Sequence, residues 1–301
     1  MHSVMILAAG LGSRLLPLTE ERPKALVPVG DRPLLFRLVE RLHAAGYRSA
    51  LINIHHRAVD FRSVLNELPI NIEESFEPVI LGTAGGIAHA RAKLSAPVIV
   101  HNADIDCELD FGELAGRAAR GGICLACVPR AVGEGVVGID RTGGVVRLRG
   151  EVFGAELHGA DYIGVAALGS DCLAELPEPG CLIGDYCLPR LRAGGRVDTL
   201  CRSVQWNDIG SLPAYVEANF KWLSSWQRSY AEDSPDASYL GGDCAVAESV
   251  RLCGCIVGAG AQVGGTGTLQ RCIVWPGARV TAPLRDAVVT GSGRVIAFSV
   301  P

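Results

Sequence analysis

The stretch ILAAGLGSRLLPLTEERPKALVPVG, Ile6 to Gly30, constrains this chain more than any other. An apolar run, Val4 to Ala8, reads as a buried strand and empties into Gly10-Leu11-Gly12-Ser13-Arg14. Glycines placed directly after a strand let backbone amides converge on an anion with no side chains in the way. Arg14 and Lys24 add two cations beside that cradle, and Pro17 and Pro23 stiffen the loop between them. A plain tight turn would account for the glycines and leave the cations unexplained. A dinucleotide fold would need a third glycine where Leu15 stands, and an acid after the second strand, where His55 and His56 stand. A P-loop would need Gly-Lys-Ser/Thr, which is absent here. What the pattern suits is a triphosphate whose charge must be gathered and whose pyrophosphate end must be stabilised as it leaves.

The surrounding periodicity sets the fold class. After the Val4–Ala8 strand, Asp31 is expected to cap a helix carrying Leu35, Leu38, Val39 and Leu42, which Gly46 stops. A strand at Ala50–Ile54, a helix-like stretch at Ala58–Leu68, a strand at Ile70–Glu73, a helix at Ala84–Leu94 and a strand at Pro97–His101 follow. That alternation predicts an α/β fold, Rossmann-like, with a three-layer, mixed but mostly parallel sheet. From Gly122 to Leu168 short strands and glycine turns predict an antiparallel edge. Ser211 caps a further helix with Leu212, Tyr215, Val216, Leu223 and Trp226. Beyond the polar AEDSPDAS the composition shifts to small aliphatics that recur about every six residues, at Val246, Leu252, Ile256 and Val263. This resembles the hexapeptide repeat of a left-handed β-helix, with TAPLRDAVVT breaking the pattern. With 301 residues, room for about two domains, the expected division is 1–230 for a catalytic domain and 239–301 for a β-helix-like tail.

Charge and cysteine content exclude several classes of function. The net charge of −4 gives no electrostatic footprint for nucleic acid or an anionic membrane. No apolar run approaches the roughly 18 to 20 residues of a membrane span, and the first one lacks a signal peptide's basic flank, so the cytoplasm is the expected compartment. Eleven cysteines, an odd number without a framing pattern, read as reduced thiols. The Cys124/Cys127 and Cys253/Cys255 pairs fall in strand-like runs and lack the second half of a zinc site.

LAAGLGSRLLPLTEERPKALVPV resembles the signature of the sugar-1-phosphate nucleotidyltransferases, and the similarity runs through most of the first 225 or so residues. The resemblance implies that Leu7, Ala9, Gly10, Gly12, Ser13, Arg14 and Lys24 hold the nucleotide, with Arg14 and Lys24 also catalytic. APVIVHNADID ends an apolar strand in acids, and the family's strand-end NGD matches NAD here. Its W-x-D-x-G matches Trp206 to Gly210, so Asp104 and Asp208 are implied as the catalytic pair that holds Mg²⁺. LGTAGGI, with Gly82, Thr83 and Gly85, is similar to the base-recognition loop. For the sugar, the resemblance points to Asn102, Gly135 in EGVVGID, Glu151 in RGEVFG and Gly164 in DYIGV. Val152 departs from the pattern, occupying the place of the lysine that grips the sugar phosphate; Arg147 and Arg149 are the candidates to substitute.

The reaction implied uses a nucleoside triphosphate and a sugar 1-phosphate to make a nucleotide sugar and pyrophosphate. GTP with mannose 1-phosphate or a related sugar is the expected pair, because LGTAGG and an appended β-helix together look most like mannose-1-phosphate guanylyltransferases. A uridylyl- or thymidylyltransferase and a non-catalytic regulatory relative are the alternatives. An acyltransferase reading of the tail fails for want of a histidine base, the last histidine being His158. The tail is expected to pack on the catalytic domain or to pair protomers into a homodimer or higher homo-oligomer.

Overall fold

The structure, a computed structural model, describes residues 1–118, 121–230 and 236–299. Residues 231–235 of the polar stretch, and the chain's last two residues, lie outside the described residues. The chain divides into two compact units, Met1–Gly10 with Leu35–Asp208, and Leu11–Leu34 with the residues from Ile209 onward. No helix among the described residues is long and apolar enough to cross a membrane.

The first unit is built on β1 (His2–Leu7), β2 (Ser49–Ile54), β3 (Asn71–Phe76) and β4 (Leu94–Asn102), paired in parallel in the order β3-β2-β1-β4. Val4, Met5, Ile6, Leu51, Ile52 and Val100 are fully buried, as expected of parallel strands covered on both faces. Helices α1 (Leu34–Ala44) and α2 (Gly82–Ala90) lie in the crossovers. Their starts differ from the sequence reading. Arg32–Pro33 pairs with Pro28–Val29, which places Asp31 in the intervening turn, its carboxylate accepting from Arg32 at 2.9 Å, so Asp31 does not cap α1. The Ala58–Leu68 stretch divides into a helix, Ala58–Arg62, and a single 3-10 turn, Leu65–Glu67.

The antiparallel part continues from β4. After β5 (Ile105–Cys107), the strands are β6 (Ile123–Arg130), β7 (Val137–Ile139), β8 (Val145–Leu148), β9 (Glu151–Val152) and β10 (His158–Leu168). β10 runs antiparallel to β4, β6 and β7, and β8 joins β7 to β9. β11 (Asp198–Cys201) lies parallel to β6, and β12 (Trp206–Asp208) pairs with β5. Cys124 and Cys127 are buried in β6, where burial pushes the Cys124 thiol up to about 12 and Cys127 well above its ordinary value. All eleven cysteines are free.

The second unit gathers the signature loop, a long helix and the tail around one core. Leu15, Leu18, Val27 and Val29 pack with Tyr215, Leu223, Ile256, Ile273 and Trp275. Helix α3 (Leu212–Tyr230) starts where Ser211 accepts from the Ala214 amide, as its cap position predicts. The tail strands stack in parallel, Tyr239 on Ile256 on Ile273 and Val246 on Val263 on Val280, giving a β-helix-like region. TAPLRDAVVT does not interrupt it: Arg279–Val289 is a strand parallel to Gln262–Val274, with one register shift absorbing the irregularity.

Apart from the short Pro28–Val29/Arg32–Pro33 pairing, residues 11–33 form only three single 3-10 turns, Ser13–Leu15, Leu18–Glu20 and Lys24–Leu26, so they are held from outside. The Gly30 amide donates to Asn219 Oδ1 at 2.9 Å, on a helix whose Tyr215 hydroxyl accepts from Trp275 Nε1 at 2.9 Å. Arg22 lies over the Trp275 ring. The tail's last turn takes the loop's acids: Glu21 accepts from the Thr290 hydroxyl, from the Ser292 hydroxyl at 2.5 Å and from the Ser292 amide at 3.0 Å, and Glu20 pairs with Arg294. Burial pushes the Glu21 carboxyl up, but the Ser292 and Thr290 hydrogen bonds and the Arg294 charge hold it below its ordinary value.

Two substitutions probe this unit. Tyr215→Phe leaves the buried indole N–H of Trp275 without its acceptor and is expected to cost about 1–3 kcal/mol in chemical denaturation. Glu21→Gln is expected to destabilise at pH 7. A carboxyl with a lowered folded-state pKa stabilises above its unfolded pKa and loses that contribution as pH falls, so the gap from wild type should narrow below about pH 5 in melting curves.

Candidate active site

The order β3-β2-β1-β4 reverses its direction of connection between β1 and β4, and sheets of this kind bind ligands beyond the strand ends at such a point. Leu7 and Asn102 are in register there, and the Ala103 amide donates to the Leu7 carbonyl at 2.9 Å. Ala9 and Gly10 leave β1 at this end, and Asp104 follows β4. The β5–β12 ladder sets Asp208 opposite Ile105, so two acids far apart in sequence become neighbours across one short ladder. Gly164, in the left-handed region at φ +78°, lies on β10 against Asn102 Nδ2 and Ile105, where a Cβ would stand 2.8 Å from the amide nitrogen. Four of the residues singled out in the first unit, Asn102, Asp104, Gly164 and Asp208, thus surround one strand end. Asp106 pairs with Arg41 at 2.9 Å. His101, fully buried beneath, is pushed down to about 4 by burial and stays neutral.

The Gly82–Gly85 segment opens α2, and its glycines are tied to packing. Gly82 (φ +79°) has the Gly180 carbonyl where a Cβ would be, 2.5 Å away. That carbonyl accepts from the Ala84 and Gly85 amides at 2.8 and 3.1 Å, and Thr83 Oγ1 accepts from the Leu182 amide at 2.8 Å. The helix start is therefore locked to the 180–182 segment, which no motif in the sequence singles out.

Two more residues join this end of the sheet, and sequence reasoning missed both. Asn53, 3% exposed, accepts from the Ala8 amide at 2.6 Å and donates to Glu77 Oε1 at 2.7 Å; Glu77, 0% exposed, accepts from the Leu81 amide at 3.1 Å through its other oxygen. A polar residue inside the apolar strand ALINI was the available signal.

Around the sugar-side candidates, Arg147 binds Glu156 at 2.7 Å and the Gly135 and Glu134 carbonyls at 2.8 Å each. Its donors are committed to holding the turn that carries Gly135, which itself lies against the Ala160 carbonyl. Arg149 is exposed at the β8–β9 turn, with Nη2 3.6 Å from Cys181 Sγ. Val152 is 69% exposed, and Glu151 is engaged by Arg192 at 2.9 Å. In the second unit Gly12 lies against Thr19 and Lys24, its carbonyl accepting from Thr19 Oγ1 at 3.0 Å; Ser13 and Arg14 are exposed beside it.

The donor set fits a hard divalent cation. Asp104 and Asp208 are both half-buried, and Asp208, which has other polar interactions, buries its Oδ1 oxygen where no hydrogen bond reaches that atom. Among the described residues no group of three or more His, Cys, Asp or Glu could hold a metal. Two carboxylates without a closed protein cage is how Mg²⁺ is held when substrate phosphates complete its shell.

Comparison with known proteins agrees with this fold. The nucleotidyl transferase family profile matches residues 3–149. Probable mannose-1-phosphate guanylyltransferase 3 of Oryza sativa subsp. japonica is 27% identical over 295 residues, covering 92% of this chain and 82% of its own. N-acetylmuramate alpha-1-phosphate uridylyltransferase of Caulobacter vibrioides is 31% identical over 241 residues, covering 71% of this chain and 94% of its own. The crystal structure of HddC from Yersinia pseudotuberculosis, complexed with GMP-PN, superposes with a TM-score of 0.61 at 26% identity, covering 74% of this chain and all of that one. With its glycine loop, its parallel sheet and its strand-end acids, the chain belongs to the sugar-1-phosphate nucleotidyltransferase family.

Proposed function

We propose that the protein transfers a guanylyl group from GTP to mannose 1-phosphate or a related sugar 1-phosphate, releasing pyrophosphate. The observation that carries the reading is the juxtaposition of Asp104 and Asp208 at the end of β1 and β4, where the glycine loop begins. Support for the base comes from the guanylyltransferase relative that spans nearly the whole chain and from the guanine nucleotide analogue named in the HddC complex. The uridylyltransferase relative favours UTP as the second reading, since it matches this chain over almost its own full length.

In the proposed reaction the sugar phosphate oxygen, already ionised near neutral pH, attacks the α-phosphorus of the nucleotide. A new P–O bond forms as the bond to the β-phosphate oxygen breaks, and pyrophosphate departs. No general base is required, so positioning and charge neutralisation carry the catalysis. Gly10, Gly12 and Ser13 supply the phosphate cradle, with Arg14 and Lys24 neutralising the leaving group. Leu7 and Ala9 border the nucleotide, and Gly82, Thr83 and Gly85 shape the base pocket. Asn102, Gly135, Glu151 and Gly164 contact the sugar, and Arg149 replaces the lysine absent at Val152, because Arg147 is committed to Glu156. Asp104 and Asp208 would hold Mg²⁺, which when bound supplies charge neutralisation at the reacting phosphates.

Pyrophosphate release measured with Mg²⁺ across GTP, UTP, dTTP, CTP and ATP, each with mannose, glucose and amino-sugar 1-phosphates, is expected to peak with GTP and mannose 1-phosphate. A peak with UTP would move the assignment to the second reading, and silence across the grid with folded protein would overturn catalysis. Asp104→Asn is expected to lower kcat at least about a hundredfold while leaving the melting temperature within a few degrees; near-wild-type turnover would remove Asp104 from the site.

A further inference from the structure

The buried chain Ala8–Asn53–Glu77–Leu81 joins the two loops that the proposed function assigns to phosphate and base. Asn53 lies near the end of β2, between the two: its Oδ1 takes the Ala8 amide and its Nδ2 gives to Glu77. Glu77 takes the Leu81 amide through its second oxygen, immediately before Gly82. The His55 ring nitrogen Nδ1 lies 2.8 Å from the Glu77 carbonyl, and Gly86 of α2 packs directly on the Glu77 and Asn53 side chains. Glu77 is 0% exposed, so it does not meet a ligand itself.

The polarity of this chain is set by one group. Both neighbours of the Glu77 carboxyl group, the Leu81 N–H and the Asn53 amide, are donors, so both of its oxygens accept. With Oε1 accepting, Asn53 must turn its NH₂ toward Glu77, which leaves its oxygen for Ala8. We propose that Glu77 is a positioning residue for the nucleotide: through Asn53 it fixes the first amide of the glycine loop, and through Leu81 it fixes the base-loop entry. The two loops are thereby set in one frame before ligand arrives. This rests on the reading of the chain as a nucleotidyltransferase whose glycine loop carries phosphate. Buried networks of this kind are effective only when every member is satisfied.

Such a network answers single and paired substitutions differently. In Glu77→Gln the side chain has one acceptor for two donors. If its oxygen faces Leu81, Asn53 must flip and present NH₂ to the Ala8 amide; if it faces Asn53, its own NH₂ meets the Leu81 amide. One donor–donor contact is unavoidable. Asn53→Asp alone sets a carboxylate against a carboxylate. Combining Asn53→Asp with Glu77→Gln restores all three hydrogen bonds and moves the charge from position 77 to position 53. The carboxylate now at position 53 accepts from the Ala8 amide and from the carboxamide NH₂ at position 77, whose oxygen accepts from the Leu81 amide.

The experiment is steady-state pyrophosphate release on the full chain with GTP and mannose 1-phosphate, or the pair that the wild type turns over, for wild type, both single variants and the double variant. Hydrogen exchange at the Ala8 and Leu81 amides is followed alongside. Glu77→Gln is expected to raise KM for the nucleotide about tenfold, with KM for the sugar phosphate within about twofold, and to speed exchange at Ala8 or Leu81. The double variant should return both readouts toward wild type. An effect confined to kcat with both KM values unchanged, as a loss of folded protein would give, overturns the positioning role. So does a double variant no better than the worse single. If the wild type itself is silent, the nucleotidyltransferase reading has failed, and exchange at the two amides still decides whether Glu77 sets the frame.

Discussion

Residues 11–34 cannot hold their own shape, and much of the second unit is an answer to that constraint. Three single-turn helices and one two-residue strand pair order two dozen residues with little hydrogen-bond ladder, at a conformational cost of roughly 1–2 kcal/mol per residue. The cost is met by burying Leu15, Leu18, Val27 and Val29 in a core shared with α3 and the tail, and by fixing Glu21 on Thr290 and Ser292. In the proposed function a flexible loop of glycines and cations would collect phosphate poorly, because the ordering would have to occur on binding. The tail thus has a mechanical task within its own unit, whatever else it does.

The first unit solves a related problem by different means. Its parallel strands are buried, and the direction of connection reverses between β1 and β4. There the backbone turns out of the sheet at Ala8 and Ala103, and each exit is pinned by a hydrogen bond to a neighbouring strand, Asn53 for one and Leu7 for the other. A short two-stranded ladder then carries Asp208 back to Ile105, so that rigid backbone, not flexible side-chain reach, determines which acids are neighbours.

Legibility in the sequence followed the range of the interaction. Local periodicity identified the parallel strands, because Val4 to Ala8, Ala50 to Ile54 and Pro97 to His101 are apolar over lengths that match buried strands. Stacked rows such as Val246 on Val263 were visible for the same reason. The start of α1 was misread because Asp31 has the residue type of a cap while the short Pro28–Val29 and Arg32–Pro33 pairing claims that turn first. TAPLRDAVVT broke the sixfold spacing by eye, yet a register shift lets the same backbone ladder continue. Long-range polar contacts left little trace: Asn53 stands out inside ALINI, but nothing in FEP announces that Glu77 is buried on it, nor in TEER that Glu21 belongs to Ser292. The candidate acids were legible only through a family resemblance; the β5–β12 ladder sets Asp208 opposite Ile105, the residue after Asp104.

The anchoring of Glu21 by Thr290 and Ser292 also fixes an order of events during synthesis. The loop leaves the ribosome early, but its anchors are made about 270 positions later. At elongation rates of roughly 5–20 residues per second the loop waits on the order of tens of seconds without its final contacts. Its glycines and two cations therefore spend that interval without the contacts that Thr290 and Ser292 supply. A ribosome that stops between Asp208 and Thr290 releases a chain in which the parallel sheet has all its strands and the loop still lacks its Thr290 and Ser292 anchors.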